Sequence, residues 1–474
     1  MNIVRACILL VCCCLFLPAC SARVIAQKHP HIIVDKEGYP VTDFGERMSR
    51  EDYRARIESI RRAVAEKISD REDANQPLNL LLLVHGGLTT TDGGLAFIDD
   101  MVDGQGFLKG MPADAQLYPI FINWDSSLMS SLVDDLFLVR KGTRDPLSGI
   151  ITSPFVILSR LVGGFVNLPA TLYYHYDTEK MQFEKWPGEP WRGGDLARRG
   201  AITVAMIPFT VVQLPFLSGF GTGAWEMMSR RVELMFAHQL DPQGTLYREP
   251  DHRPGALREF FELIESSYGT NSGGPTVASA ADTSEGRKPR VNVILAGHSM
   301  GTMVVNRILR EFPQLRYHRI VYMASAASVD DFITTVPPYL ARNRDAQFIG
   351  YSLAIRDEVG ESNLLAPRGS LLAWIDNMFE PGLSPTGKRA GFFFNNKVLK
   401  VREFDDEGKA CDRMRVWKIV ADGDSSVPHK HGDFNEDGKF QGLLATAMGW
   451  EGMHEKFFTE HRVCLRPGEV PDEQ

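Results

Sequence analysis

Six short apolar runs set the strongest limit on what this chain can fold into. They are LNLLLLV from Leu78, YPIFINW to Trp124, VNVILAG from Val291, RIVYMAS to Ser325, FIGYSLAI to Ile355 and RVWKIVA to Ala421. Each is too short for a core helix and the right length for a strand. Most are continuous rather than alternating, so both faces of the strand want burial, which is the habit of parallel sheets covered on both sides. Helical patterns separate most of them: LAFIDDMV, GALREFFELIESSY, TMVVNRILREF, VDDFITTVPPYLA and GSLLAWIDNMF. Strand and helix in alternation predict an α/β fold with a doubly wound, mostly parallel sheet. The 474 residues, 44% hydrophobic and 24% charged, are ample for such a core.

The third run enters Gly297-His298-Ser299-Met300-Gly301, and a helical pattern follows at once. Two glycines around one serine, between strand and helix, are what a nucleophile elbow requires, because only small neighbours fit so sharp a turn. The first run ends in His85-Gly86-Gly87. With these two motifs, residues 78–125 and 290–474 resemble the α/β-hydrolase superfamily. YSLAIRDEVGES, KRAGFFF and HKHGDF add a looser similarity to bacterial esterase-like and lipase-like members.

A serine hydroxyl is a weak nucleophile at neutral pH and needs a base, usually a histidine oriented by a carboxylate. The resemblance implies the chain order serine, acid, histidine, each on a loop after a strand. After FIGYSLAI the first acids are Asp357 and Glu358; after RVWKIVA the histidines are His429 and His431. The expected triad is Ser299, Asp357 and His431. His431 is chosen for its His-Gly-Asp-Phe context, and His429 is a substitute. A rival pair is Asp424 with His454, which would need a core strand between them where FQGLLATAMGW reads as helix. The oxyanion donors implied by the fold are the amides of Met300, next after the nucleophile, and of Gly87 with its neighbour Leu88. His298 and His85 are read as packing and loop-positioning residues. The same parts would serve a thioesterase, peptidase or acyltransferase, and a non-catalytic envelope scaffold is the reading from another class.

Five of the seven cysteines fall in the first twenty residues. There, MNIVRACILLVCCCLFLPAC carries one charge, Arg5, and an apolar run of about a dozen residues, the size of a secretory signal core. LPAC resembles a bacterial lipobox, which implies signal cleavage after residue 19 and a lipid on Cys20. Ser21 rather than Asp implies the outer membrane, with the protein facing the periplasm. Cys411 and Cys464 are then the candidates for a disulfide in an oxidising space.

The expected layout is signal peptide 1–19, N-terminal tether and helix 20–75, hydrolase domain in two parts at 76–125 and 290–474, and an insertion at 126–289. The insertion holds SGIITSPFVILSRLVGGFVNLPATLYYHY and GAITVAMIPFTVVQLPFLSGFGTGAW; the second runs from Gly200 to Trp225 without a charge. Arg160 interrupts the first arm, and Pro208 and Pro215 are expected to break the second into short helices. The arms are either an apolar lid that meets the membrane or part of an enlarged core. Residues from Asp433 to Gly438 match half a calcium loop, but position twelve is Leu444, and an acidic turn is the preferred reading. No cofactor or metal is expected. A net charge of −8 gives no reason to expect nucleic acid.

Overall fold

The computed structural model describes residues 29–70, 77–102, 116–181, 183–184, 193–238, 253–268, 291–361, 367–380, 387–392, 410–421, 424–436, 438–450 and 458–461, with backbone alone at 102, 193–209, 266–268, 435 and 461. In chain order the strands are β1 (His31–Val34), β2 (Pro40–Val41), β3 (Leu78–Val84), β4 (Leu117–Trp124), β5 (Val139–Arg140), β6 (Thr143–Arg144), β7 (Val291–His298), β8 (Arg319–Met323), β9 (Gln347–Leu353), β10 (Met414–Ile419) and β11 (Phe458–His461). Nine of them form one sheet in the order β11-β10-β9-β8-β7-β3-β4-β1-β2, and β5 pairs with β6 in a small hairpin. All pairings in the large sheet are parallel except those of its two edge strands, β2 and β11.

All six apolar runs form strands of this sheet, and the reason is visible in their burial. Every side chain of β3 is buried, and β7, β8 and β9 are buried over most of their length. The helices Gly301–Glu311 and Val329–Arg342 lay their apolar stripes on this layer. The helix Arg50–Ser69 does the same with Tyr53, Ile57, Ile60 and Val64, and Ser49 caps its first turn. Three strands of the large sheet lie outside the six runs. HIIV, in the segment read as a tether, is β1 and adds to β4; β2 folds back on it; and β11 closes the other edge.

The register of β3 and β7 positions the site. Leu78 lies opposite Val291 and Val84 opposite Gly297. The loops that follow, His85-Gly86-Gly87 and Ser299-Met300, therefore leave neighbouring strands at the same level and the same edge.

The insertion divides into an outer and an inner layer. Helices Pro146–Val166 and Leu168–Met181 come first, then a single helix Gly193–Met235 of 43 residues. Pro208 and Pro215 do not break that helix. A proline removes one main-chain donor, but here tertiary packing outweighs local propensity. Leu214, Trp225, Met228, Val232 and Met235 belong to the main core, Ser218 Oγ donates to Met378 O at 3.0 Å, and Thr222 Oγ1 donates to Phe379 O at 2.8 Å. The buried Arg231 guanidinium donates to Asp134 Oδ2 at 2.7 Å, Ser130 Oγ at 2.9 Å and Asp125 O at 3.0 Å, which ties the helix to the segment after β4.

The helix Pro146–Val166 is different. It is the one helix among the described residues long and apolar enough to cross a membrane. Leu147, Ile150, Ile151, Phe155, Leu158, Val162, Phe165 and Val166 are all more than half exposed, with Phe155 at 74%. Its other flank packs on the long helix. A Cβ on Gly164 would strike the carbonyl of Pro215, and one on Gly219 would strike that of Arg160, so the two backbones touch where they cross. Arg160 lies on this inner flank and pairs with Asp135 at 2.6 Å and Glu226 at 2.7 Å.

Candidate active site

The elbow is held by close approaches that admit no larger residue. Ser299 has φ of 48°, a left-handed conformation that a non-glycine residue adopts at a cost of roughly 1–3 kcal/mol. Its amide donates to Met323 O at 2.8 Å, and its carbonyl accepts from Thr302 Oγ1 at 2.7 Å and from the Ala326 amide at 3.1 Å. A Cβ on Gly297 would lie 2.9 Å from the Gly301 carbonyl carbon; one on Gly301 would press on the Val84 and His85 carbonyls. The two glycines of the motif thus let the turn close on itself and lie on the end of β3.

Ser299 Oγ lies 2.9 Å from His431 Nε2, although 132 residues separate them. With the ring proton on Nδ1, Nε2 accepts the serine proton. Burial pushes the His431 imidazole down to about 4, so it is the neutral, proton-accepting form at pH 7. The residue opens a short turn, His431–Asn435, that follows β10. Its carbonyl is 3.3 Å from His298 Nε2, its ring packs on His298 with centroids 5.3 Å apart, and its amide donates to Glu361 Oε2 at 3.0 Å. Burial also pushes His298 well below its ordinary value, with His431 adding to the effect, so His298 works as a neutral packing and hydrogen-bonding residue.

The donors expected for an oxyanion are backbone amides. Gly86 O accepts from His85 Nδ1 at 2.8 Å and from Ser126 Oγ at 3.0 Å. In a planar trans peptide the next N–H points the opposite way. The Gly87 and Met300 amides donate to no protein group among the described residues. A Cβ on Gly87 would lie 2.7 Å from Met300 Sδ, so these two residues pack against each other. The Leu88 amide is already engaged, donating to Ser126 O at 2.9 Å. Leu88 has a positive φ of 66° and a half-exposed side chain beside the site.

The acid is less direct. Asp357 sits half-buried in the first turn of the helix Ile355–Gly360, after β9. It makes no hydrogen bond to His431, whose buried Nδ1 has no partner. Glu358, next to it, is completely buried, and burial pushes its carboxyl up to about 8 with the Ser370 side chain opposing. Asp424 accepts from the Ser426 amide in its own turn, and His454 and Cys20 lie outside the described residues. Cys411 is disulfide-bonded; Cys464 lies outside the described residues. Asp433, of the half calcium loop, accepts from the His429 and Lys430 amides at 3.0 and 3.1 Å and pairs with Lys439 at 3.2 Å, while Asp437 is outside the described residues.

Three contributors are not evident from the sequence. Ser126, just after β4, clamps the His85-Gly86-Gly87 loop. Met228 reaches it from the insertion, its Cε being 3.2 Å from where a Gly87 Cβ would stand. Glu361 meets the main chain of His431. Only Glu361 leaves a usable signal, as a further acid in the loop after β9. Compared with models of known families, with curated proteins and with solved structures, the chain matches none.

Proposed function

We propose that this chain is a serine hydrolase of the α/β-hydrolase type that cleaves carboxylic esters through an acyl-enzyme. The observation that carries the reading is the 2.9 Å contact of Ser299 Oγ with His431 Nε2, made by a serine in a left-handed turn between strand and helix. The strand succession supports it: nucleophile after β7, acids after β9, histidine after β10.

In this reading His431 takes the Ser299 proton as Oγ attacks the ester carbonyl. The Gly87 and Met300 amides receive the oxyanion. His431 then protonates the departing alkoxide, and water repeats the sequence on the acyl-enzyme. Activity falls as the pH drops through the imidazole pKa, since the protonated ring no longer accepts. Ser299 is only 1% exposed, so substrate entry requires a neighbouring side chain to move, and Met228 links the insertion to that event.

The exposed apolar face of Pro146–Val166 favours an apolar or lipid ester and contact with a membrane surface. A lipid tether at Cys20 in the bacterial envelope fits this, as does a disulfide at Cys411.

The test is labelling with a fluorophosphonate. Attachment at Ser299, abolished by Ser299→Ala in folded protein, is the expected result, together with loss of p-nitrophenyl ester hydrolysis. A folded wild-type chain that takes no label favours the non-catalytic scaffold reading instead.

A further inference from the structure

If Ser299 is the nucleophile, as in the hydrolase reading on which the role of Glu361 rests, one group of the site is left without a partner. When Nε2 of His431 accepts the serine proton, Nδ1 must carry the ring proton, and it does so buried with no acceptor. A buried donor without a partner is destabilising, and the imidazolium formed during reaction would be worse placed. One carboxylate is already fixed on this residue. Glu361 Oε2 accepts the His431 main-chain N–H at 3.0 Å. In histidine only three carbon atoms separate the main-chain nitrogen from Nδ1, so a side-chain rotation brings a carboxylate from one to the other.

The setting of Glu361 suits that step. It follows the helix Ile355–Gly360 in an extended conformation, φ −59° and ψ 129°. Its amide donates to Asp357 O at 3.2 Å and its carbonyl accepts from Gly369 at 2.8 Å, so the backbone that carries the side chain is fixed. Its second oxygen, Oε1, makes no hydrogen bond among the described residues. Asp433, Lys430 and His429 face its carboxyl from the histidine loop, and Glu358 lies on its own side. Burial raises the Glu361 carboxyl above its ordinary value, with the His431 amide opposing. Of the loop's other acids, Glu358 is buried and protonated, and Asp357 makes no hydrogen bond to either ring nitrogen of His431.

We propose that Glu361, rather than Asp357, is the carboxylate that positions His431, its free oxygen turning onto the Nδ1 proton as the imidazolium forms. Glu361→Gln keeps an acceptor for the main-chain amide and removes only the charge. In protein that labels at Ser299, it should lower kcat toward a p-nitrophenyl ester by about a hundredfold or more with little change in KM. The acid limb of the pH–rate profile should move to lower pH, because the ring loses the anion that favours its protonated form. Glu361→Asp should recover part of the rate, and Asp357→Asn should stay within about threefold of wild type. An inactive Asp357→Asn, or a Glu361→Gln variant that is folded and fully active, overturns the assignment. If Glu361→Gln does not fold, Asp357→Asn decides alone. A wild-type chain that does not label at all sinks the hydrolase reading beneath it, which is a different failure.

Discussion

The two arms of the insertion are alike in composition and opposite in fate. Pro146–Val166 and the stretch from Thr210 to Trp225 are both apolar and both helical, and they cross in contact at Gly164 and Gly219. Yet Phe155 on the first is 74% exposed and Leu214 on the second is 0% exposed. Hydropathy says that a segment gains by leaving water; it does not say what it leaves water for. The difference lies in what each arm presents to the sheet. The long helix brings Trp225, Met228 and Val232 to the core, with Ser218, Thr222 and Arg231 bonded around them. The outer helix offers Gly149, Ser153, Gly164 and the paired Arg160 inward and keeps most of its large apolar side chains out.

The largest expected effect tests the inner arm. Leu214→Asp buries an unpaired charge and should lower stability by more than about 4 kcal/mol, enough to unfold a typical domain, as urea denaturation would show. A folded variant with an unchanged midpoint would mean that this arm is not core.

Gly164→Val tests the crossing. Its Cβ meets the Pro215 carbonyl, so the arms must separate, at about 1–3 kcal/mol in the same assay. No change would show that the arms do not touch in solution.

Smallest in stability is Phe155→Asp, expected within about 0.5 kcal/mol of wild type because the ring has little packing to lose. Its effect should surface elsewhere. Combined with Leu158→Asp, it should reduce co-sedimentation with phospholipid vesicles about tenfold or more, since each apolar side chain buried in lipid contributes about 1.5–3 kcal/mol. It should also remove any rise in activity on an insoluble ester above its solubility limit, while hydrolysis of a soluble ester is unaffected. Equal vesicle binding by wild type and double variant would end the membrane reading of this face.

Much of the sheet was legible because burial on both faces writes itself into sequence as an uninterrupted apolar run. β3 and β7 are the clearest cases. β1, β2 and β11 were not legible: two to four residues carry too little pattern, and the strands are stabilised by neighbours distant in the chain. The elbow could be read because backbone geometry there restricts residue type, and the histidine after β10 because the resemblance supplies its chain order and its His-Gly-Asp-Phe context. The sequence alone does not single out one carboxylate. Asp357, Glu358 and Glu361 share one loop, and which of them meets His431 depends on how a short helix leaves the first half-buried, buries the second and ends at the third. The continuity of the long helix through Pro208 and Pro215 was lost for a similar reason, since its support comes from partners at 371–380 and 125–134.

The left-handed backbone of Ser299 has a consequence for which substitutions the site can accept. Threonine carries the same hydroxyl, but its branched Cβ is a true outlier at positive φ. Cysteine is unbranched and fits the same turn. The main chain therefore sorts candidate nucleophiles by shape before chemistry is asked, admitting a change of reacting atom from oxygen to sulfur while refusing one extra methyl group.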